Sequence, residues 1–92
     1  MRRAAKRDAS EPGIVQCFKA HGCEVLVLSQ KGVPDLLVSW QDRLALVETK
    51  SAHGRLTPAQ KEWHRTWKGR AHVVESVEQA FMVVGIPARL RT

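Results

Sequence analysis

Tyrosine is absent from this sequence, cysteine occurs only twice, and acidic residues are outnumbered by basic ones. Without a tyrosine, no phenol can serve as an acid, base or nucleophile. Cys17 and Cys23 are too few and too loosely spaced for a disulfide scaffold. Cys17 also falls within a helical apolar pattern, where a reduced, buried thiol is the default. Combined with His21, His53, His64 and His72, the cysteines make no C-x-x-C or H-x-x-x-H spacing, which argues against zinc. No apolar stretch approaches membrane-spanning length, and the basic start is not followed by a signal-peptide core. Internal repeats and low-complexity segments are missing too. These absences predict a reducing, intracellular location, the cytoplasm, with no membrane partner.

What is present fits one small globular domain: 92 residues, of which 43% are apolar. Fifteen Lys and Arg against nine Asp and Glu give a net charge of +6. So basic a small domain favours a polyanionic partner, most simply nucleic acid; ordinary solubility charge is the alternative. Residues 1–10 read as a basic arm (Arg2, Arg3, Lys6, Arg7), 11–84 as the folded domain, and 85–92 as a basic tail with Arg89 and Arg91. Basic ends of this kind add salt-sensitive phosphate contacts, or they are frayed and idle.

Asp8 or Ser10 can cap a helix opening with Glu11-Pro12, in which Ile14, Val15, Phe18 and His21 have helical spacing and Gly22 is the stop. Glu11 then lies at the edge of the buried stripe; compensation of the helix dipole explains it equally well. Val25 to Ser29, Leu36 to Trp40 and Leu44 to Glu48 read as strands. Leu37, Leu44 and Leu46 line one face of the latter two, and Leu36, Val38, Trp40, Ala45 and Val47 the other. Helices are therefore expected on both faces. Thr57-Pro58-Ala59-Gln60 opens a second helix with Trp63, His64 and Trp67 inward and Gly69 at its end. Ala71 to Glu75 is a fourth strand, and Ser76 opens a last helix to about Val84. The expected order is α-β-β-β-α-β-α, an α/β fold with a mixed sheet flanked by helices.

Charged residues at the ends of apolar runs stand out, because burying an unpaired charge is costly. If Gln41 and Asp42 are the two central residues of a tight turn, Trp40 pairs with Arg43 and Asp35 falls opposite Glu48. A three-residue turn would shift this by one. Opposed residues have Cβ atoms roughly 4.5–5.5 Å apart, and carboxylates so close repel unless a cation lies between them. Lys50 projects from the face of Glu48. Such hard oxygen donors suit Mg²⁺ or Mn²⁺. The competing explanation is a surface Glu48–Lys50 ion pair with Asp35 a turn residue, since Asp…Glu-x-Lys alone is a common pattern.

The longer string is more specific. Gly32-x-Pro34-Asp35-Leu-Leu-Val, Glu48-Thr49-Lys50 and Gly54-x-Leu56-Thr57-x-x-Gln60 together resemble the PD-(D/E)XK nuclease superfamily. Within it the chain resembles the VRR-NUC (virus-type replication-repair nuclease) group, over roughly Glu11 to Val84. The resemblance implies a restriction-endonuclease-like core and metal-dependent hydrolysis of DNA. It places Asp35, Glu48 and the Thr49 carbonyl on the metal and makes Lys50 the catalytic lysine. Glu11 matches an acidic residue of the first helix, a further metal ligand, and Gln60 a site glutamine of the helix after the lysine strand. Stand-alone members of the group are phage-type proteins that act like Holliday junction resolvases and pair as two-fold homodimers. One departure is the missing tyrosine of related families, whose role is absent or passed to His64. Gln60 is equally explained as a capping-box residue.

Lys31, Arg55, Lys61 and Arg65 border the expected cleft as candidate phosphate contacts, and His53 lies in a loop beside it. Trp63 and Trp67 read as core rather than as a base-stacking platform. The competing functions are a non-catalytic nucleic-acid-binding module on the same fold and a protein-interaction subunit.

Overall fold

Two residues, Gln41 and Asp42, settle the register of the central hairpin. Both take positive φ, 46° and 68°, as the two-residue turn that matches strand twist requires. The computed structural model describes residues 8–51 and 54–91. Its elements are α1 (Glu11–Ala20), β1 (Glu24–Val27), β2 (Leu36–Trp40), β3 (Arg43–Thr49), α2 (Pro58–Thr66), β4 (His72–Val74) and α3 (Val77–Val84), followed by a 3-10 turn, Ala88–Leu90. The expected order holds, with the last turn as an addition. The sheet runs β1-β2-β3-β4. β1–β2 and β2–β3 are antiparallel and β3–β4 is parallel, so the sheet is mixed.

Boundaries shift where local hydrogen bonds intervene. β1 ends at Val27 rather than Ser29: Leu28 N still donates to Asp35 O at 2.7 Å, but Val33 N donates to Gln30 O at 3.2 Å and turns the chain. α2 stops at Thr66, short of Gly69, because Trp67 turns to extended backbone. At the start of α1 the Ser10 side chain makes no cap bond. Asp8 instead holds the residue before the helix, Oδ1 accepting from Ser10 N at 2.9 Å and Ser10 Oγ at 2.7 Å, while its backbone oxygen accepts from Glu11 N at 3.1 Å.

The core follows strand alternation. Leu36, Val38, Trp40, Ala45 and Val47 are buried together with Ile14 and Phe18 of α1 and with Ala80, Phe81 and Val84 of α3. Ile86, within the segment read as a tail, belongs to the same core. Arg91 extends this docking: Nε donates to Ile86 O at 3.0 Å, the guanidinium pairs with Glu78, and it lies over the Phe81 ring.

The opposite face differs from expectation. Helical cover was predicted on both faces, yet Leu44 is 72% and Leu26 61% exposed, and α2 buries none of its residues. Trp63 and Trp67, expected in the core, instead stack on each other with ring centroids 4.8 Å apart, and Trp67 remains 45% exposed. Both cysteines are free, Cys23 buried and Cys17 half-buried. Among the described residues no helix is long and apolar enough to cross a membrane.

Candidate active site

The Trp40↔Arg43 register runs down the hairpin to Leu36↔Val47, and one step further Asp35 stands opposite Glu48. β4 pairs on the other side of β3, with Glu48↔Val73 and Thr49↔Val74. Glu48 thus sits on an interior strand and is fully buried. Asp35 Oδ2 accepts from both Thr49 N and Thr49 Oγ1 at 2.9 Å, so the turn carboxylate is locked onto the strand that carries Glu48 and Lys50.

Around Glu48 the charges are unbalanced. Its Oε2 lies 3.8 Å from Lys50 Nζ and accepts from Gln60 Nε2 at 2.9 Å. Its Oε1 is buried with no hydrogen-bond partner among the described residues. Burial first, then the charge of Asp35 and a hydrogen bond shared with it, push the Glu48 carboxyl up to about 8. Lys50 pulls the other way, and Glu11, buried in the first turn of α1, adds a further upward push. The Lys50 ammonium alone therefore does not offset the burial of this acid and the charges of its acidic neighbours.

The donors therefore fit a hard divalent ion: a second carboxylate adjoins an orphaned, buried carboxylate oxygen. Among the described residues no three His, Cys, Asp or Glu side chains gather as a metal cage. Glu11 acts on Glu48 by its charge but does not complete a three-acid set. A paired-carboxylate site matches Mg²⁺, which commonly takes one or two carboxylates and leaves its other positions to water and phosphate.

Gln60 meets both of its sequence explanations with different atoms. Its backbone N donates to Thr57 Oγ1 at 3.2 Å and its Oε1 accepts from Thr57 N at 2.8 Å, a complete capping box. That leaves Nε2 to hold Glu48. Gly32 brings the preceding turn against the same helix. Its φ is +82°, and a Cβ there would come 2.9 Å from Ala59 O. Between them runs a cleft of about 370 Å³ lined by Lys31, Lys50, Thr57, Pro58 and Gln60. A larger hollow of about 660 Å³ lies elsewhere, along β1 and β2 on the open sheet face; without a carboxylate pair it offers no comparable chemistry.

Of the expected phosphate contacts, Lys31 shares this cleft with Lys50, and Arg55 and Lys61 are exposed. Arg65 is exposed too but is engaged in a two-point pair with Glu62, Nε–Oε1 3.1 Å and Nη2–Oε2 2.5 Å. His64 is half-buried against the Trp63 ring, with Nε2 lacking a hydrogen-bond partner among the described residues. Burial pushes its pKa down, which favours the neutral ring. His53, residues 1–7 and Thr92 lie outside the described residues. One contact was missed from sequence: Asp8 reaches Ser51, with Ser51 N to Oδ2 at 2.9 Å and Ser51 Oγ to Oδ1 at 2.8 Å. Nothing local signals it across 43 residues of chain.

The family model of the VRR-NUC domain matches residues 4–78, a span that contains every element of the site. The chain belongs to the VRR-NUC family. It is similar to a solved structure described as a VRR_NUC domain, at 27% sequence identity and a TM-score of 0.63, over 83% of this chain and 90% of that one. No curated protein matches it. The fold is thus the restriction-endonuclease-like α/β core of VRR-NUC proteins, and the chain is a nuclease-type domain.

Proposed function

We propose that this VRR-NUC chain is a Mg²⁺- or Mn²⁺-dependent endonuclease that hydrolyses DNA phosphodiester bonds. The observation that carries the reading is the pairing of half-buried Asp35 with fully buried Glu48, which has an orphaned oxygen and Lys50 Nζ 3.8 Å away. Asp35, Glu48 and the Thr49 carbonyl would hold the ion, with Glu11 adding negative potential nearby. Bound there, it supplies Lewis acidity to the phosphate and to the attacking water.

The chain's own residues then have separable tasks. Thr49 fixes the Asp35 carboxylate, and Gln60 fixes Glu48 from across the cleft. Lys50 offsets charge building on the phosphate and orients the water beside it. Lys31, Arg55 and Lys61 guide the DNA backbone along the cleft, with Arg65 contributing once released from Glu62. Branched, Holliday-type junctions are the proposed preferred substrate, cut by a two-fold homodimer in the cytoplasm of a bacterial or phage-infected cell. Exposed Leu26, Leu44 and Val73 on the open sheet face support such pairing.

Incubation with supercoiled, linear and four-way DNA, with and without Mn²⁺, tests the proposal. Metal-dependent cleavage, strongest on the four-way substrate, is expected. Tight binding with no cleavage under any divalent metal would instead leave the chain a non-catalytic nucleic-acid-binding module.

A further inference from the structure

Lys50 is flanked by two clamps of the same design. On its N-terminal side, Asp35 takes both the N–H and the hydroxyl of Thr49 at 2.9 Å. On its C-terminal side, Asp8 takes both the N–H and the hydroxyl of Ser51, at 2.9 and 2.8 Å. Lys50 N itself donates to Val74 O at 2.9 Å. Three consecutive residues are thus pinned at the point where β3 ends, although Ser51 lies beyond any regular element.

We propose that Asp8 is a positioning residue for Lys50: by holding Ser51 it fixes the backbone from which the lysine reaches Glu48. The inference rests on the nuclease reading above, in which Lys50 acts on the phosphate. A lysine side chain has four rotatable carbons and loses much freedom when its ammonium is placed. Anchoring the backbone on both sides removes the coarser part of that freedom, as reaction geometry within an ångström demands.

Asp8 also binds the other half of the site. Its backbone oxygen accepts from Glu11 N at 3.1 Å, and its carboxylate accepts from Ser10. One residue therefore ties the start of α1, with Glu11, to the strand end just past Lys50. Burial opposes its charge, but the hydrogen bonds from Ser10 and Ser51 outweigh this and hold its carboxyl well below the usual carboxylate range. The clamp stays ionised, and ionised acceptors make the stronger bonds.

The test compares full-length wild type with Asp8→Ala, Asp8→Asn, Ser51→Ala and Ser10→Ala, measuring kcat and KM on DNA with Mn²⁺, Tm, and amide exchange at Ser51. We expect Asp8→Ala to lower kcat about 10- to 100-fold with little change in KM and to lose Ser51 protection. Ser51→Ala follows it in part, and covers the case in which Asp8→Ala does not fold. Asp8→Asn, which keeps acceptor oxygen, recovers part of the loss. Ser10→Ala removes only the Ser10 hydroxyl bond to Asp8 and keeps the Ser10 N–H bond and the Ser51 clamp, so it lowers Tm while kcat holds. Wild-type cleavage combined with an unaffected kcat in Asp8→Ala and Ser51→Ala overturns this inference alone. So does a kcat loss in Ser10→Ala equal to that of Asp8→Ala at equal Tm, which would make the effect merely structural. Absence of cleavage by wild type overturns the nuclease reading and this inference with it.

Discussion

Glu48 is a buried carboxyl that Lys50 alone does not keep charged, and this makes it the most informative residue to perturb. Unfolded, it releases its proton near 4.5; folded and metal-free, it keeps the proton until about 8. Between those values the native state binds more protons than the unfolded chain, so stability falls as pH rises and levels off above the upper one. We expect the Tm of metal-free protein to decline across this window. Glu48→Gln should flatten that decline, raise Tm at pH 8 by about 5 °C or more, and abolish cleavage. An unchanged pH slope in the variant, followed by circular dichroism, would show that Glu48 does not carry the buried charge. Gln60 teaches a related lesson at this scale. Capping and site contact compete as explanations when only the residue type is known, yet an amide has two ends and here both are used.

At the scale of elements, the most readable feature was the hairpin. A two-residue turn admits a single register, so locating Gln41-Asp42 was enough to set Asp35 opposite Glu48. The start of α2 was equally plain, because Thr57, Pro58 and Gln60 each suit their position. Cover on the second sheet face was not readable. Leu37, Leu44 and Leu46 present the same alternation whether a helix, another molecule or nothing lies over them. The Asp8–Ser51 clamp was invisible for a different reason, since short polar residues far apart in sequence carry no periodicity. Gly32 joins strand and helix, and its positive φ and its approach to Ala59 O both exclude a side chain. Gly32→Ala should therefore cost about 1–3 kcal/mol in urea unfolding, and slow cleavage by displacing the helix that carries Gln60. Wild-type stability and rate together would show that the cleft tolerates a looser junction.

For the whole molecule, the +6 charge and the open apolar face make separate demands. Charge predicts DNA affinity that falls with salt, and Lys31→Ala should reduce the log–log slope by about 1. Arg65→Ala should change it less, because Glu62 already holds that guanidinium. An affinity indifferent to salt would mean that the charge serves solubility alone. The apolar face predicts self-association: Leu44, 72% exposed, should lie within the contact. Leu44→Glu should then shift sedimenting mass from dimer to monomer, and a wild-type chain that is monomeric at all concentrations would remove the pairing.

The most direct measurement is single-turnover cleavage of a labelled four-way junction in Mn²⁺ by wild type and by Lys50→Ala, with binding of the same DNA measured in parallel. We expect wild type to cut, chelator to stop it, and Lys50→Ala to bind equally while cutting at least about 100-fold more slowly. Equal rates from the two proteins, or a bound wild type that leaves every substrate intact with every metal, would contradict a catalytic centre built on Asp35, Glu48 and Lys50.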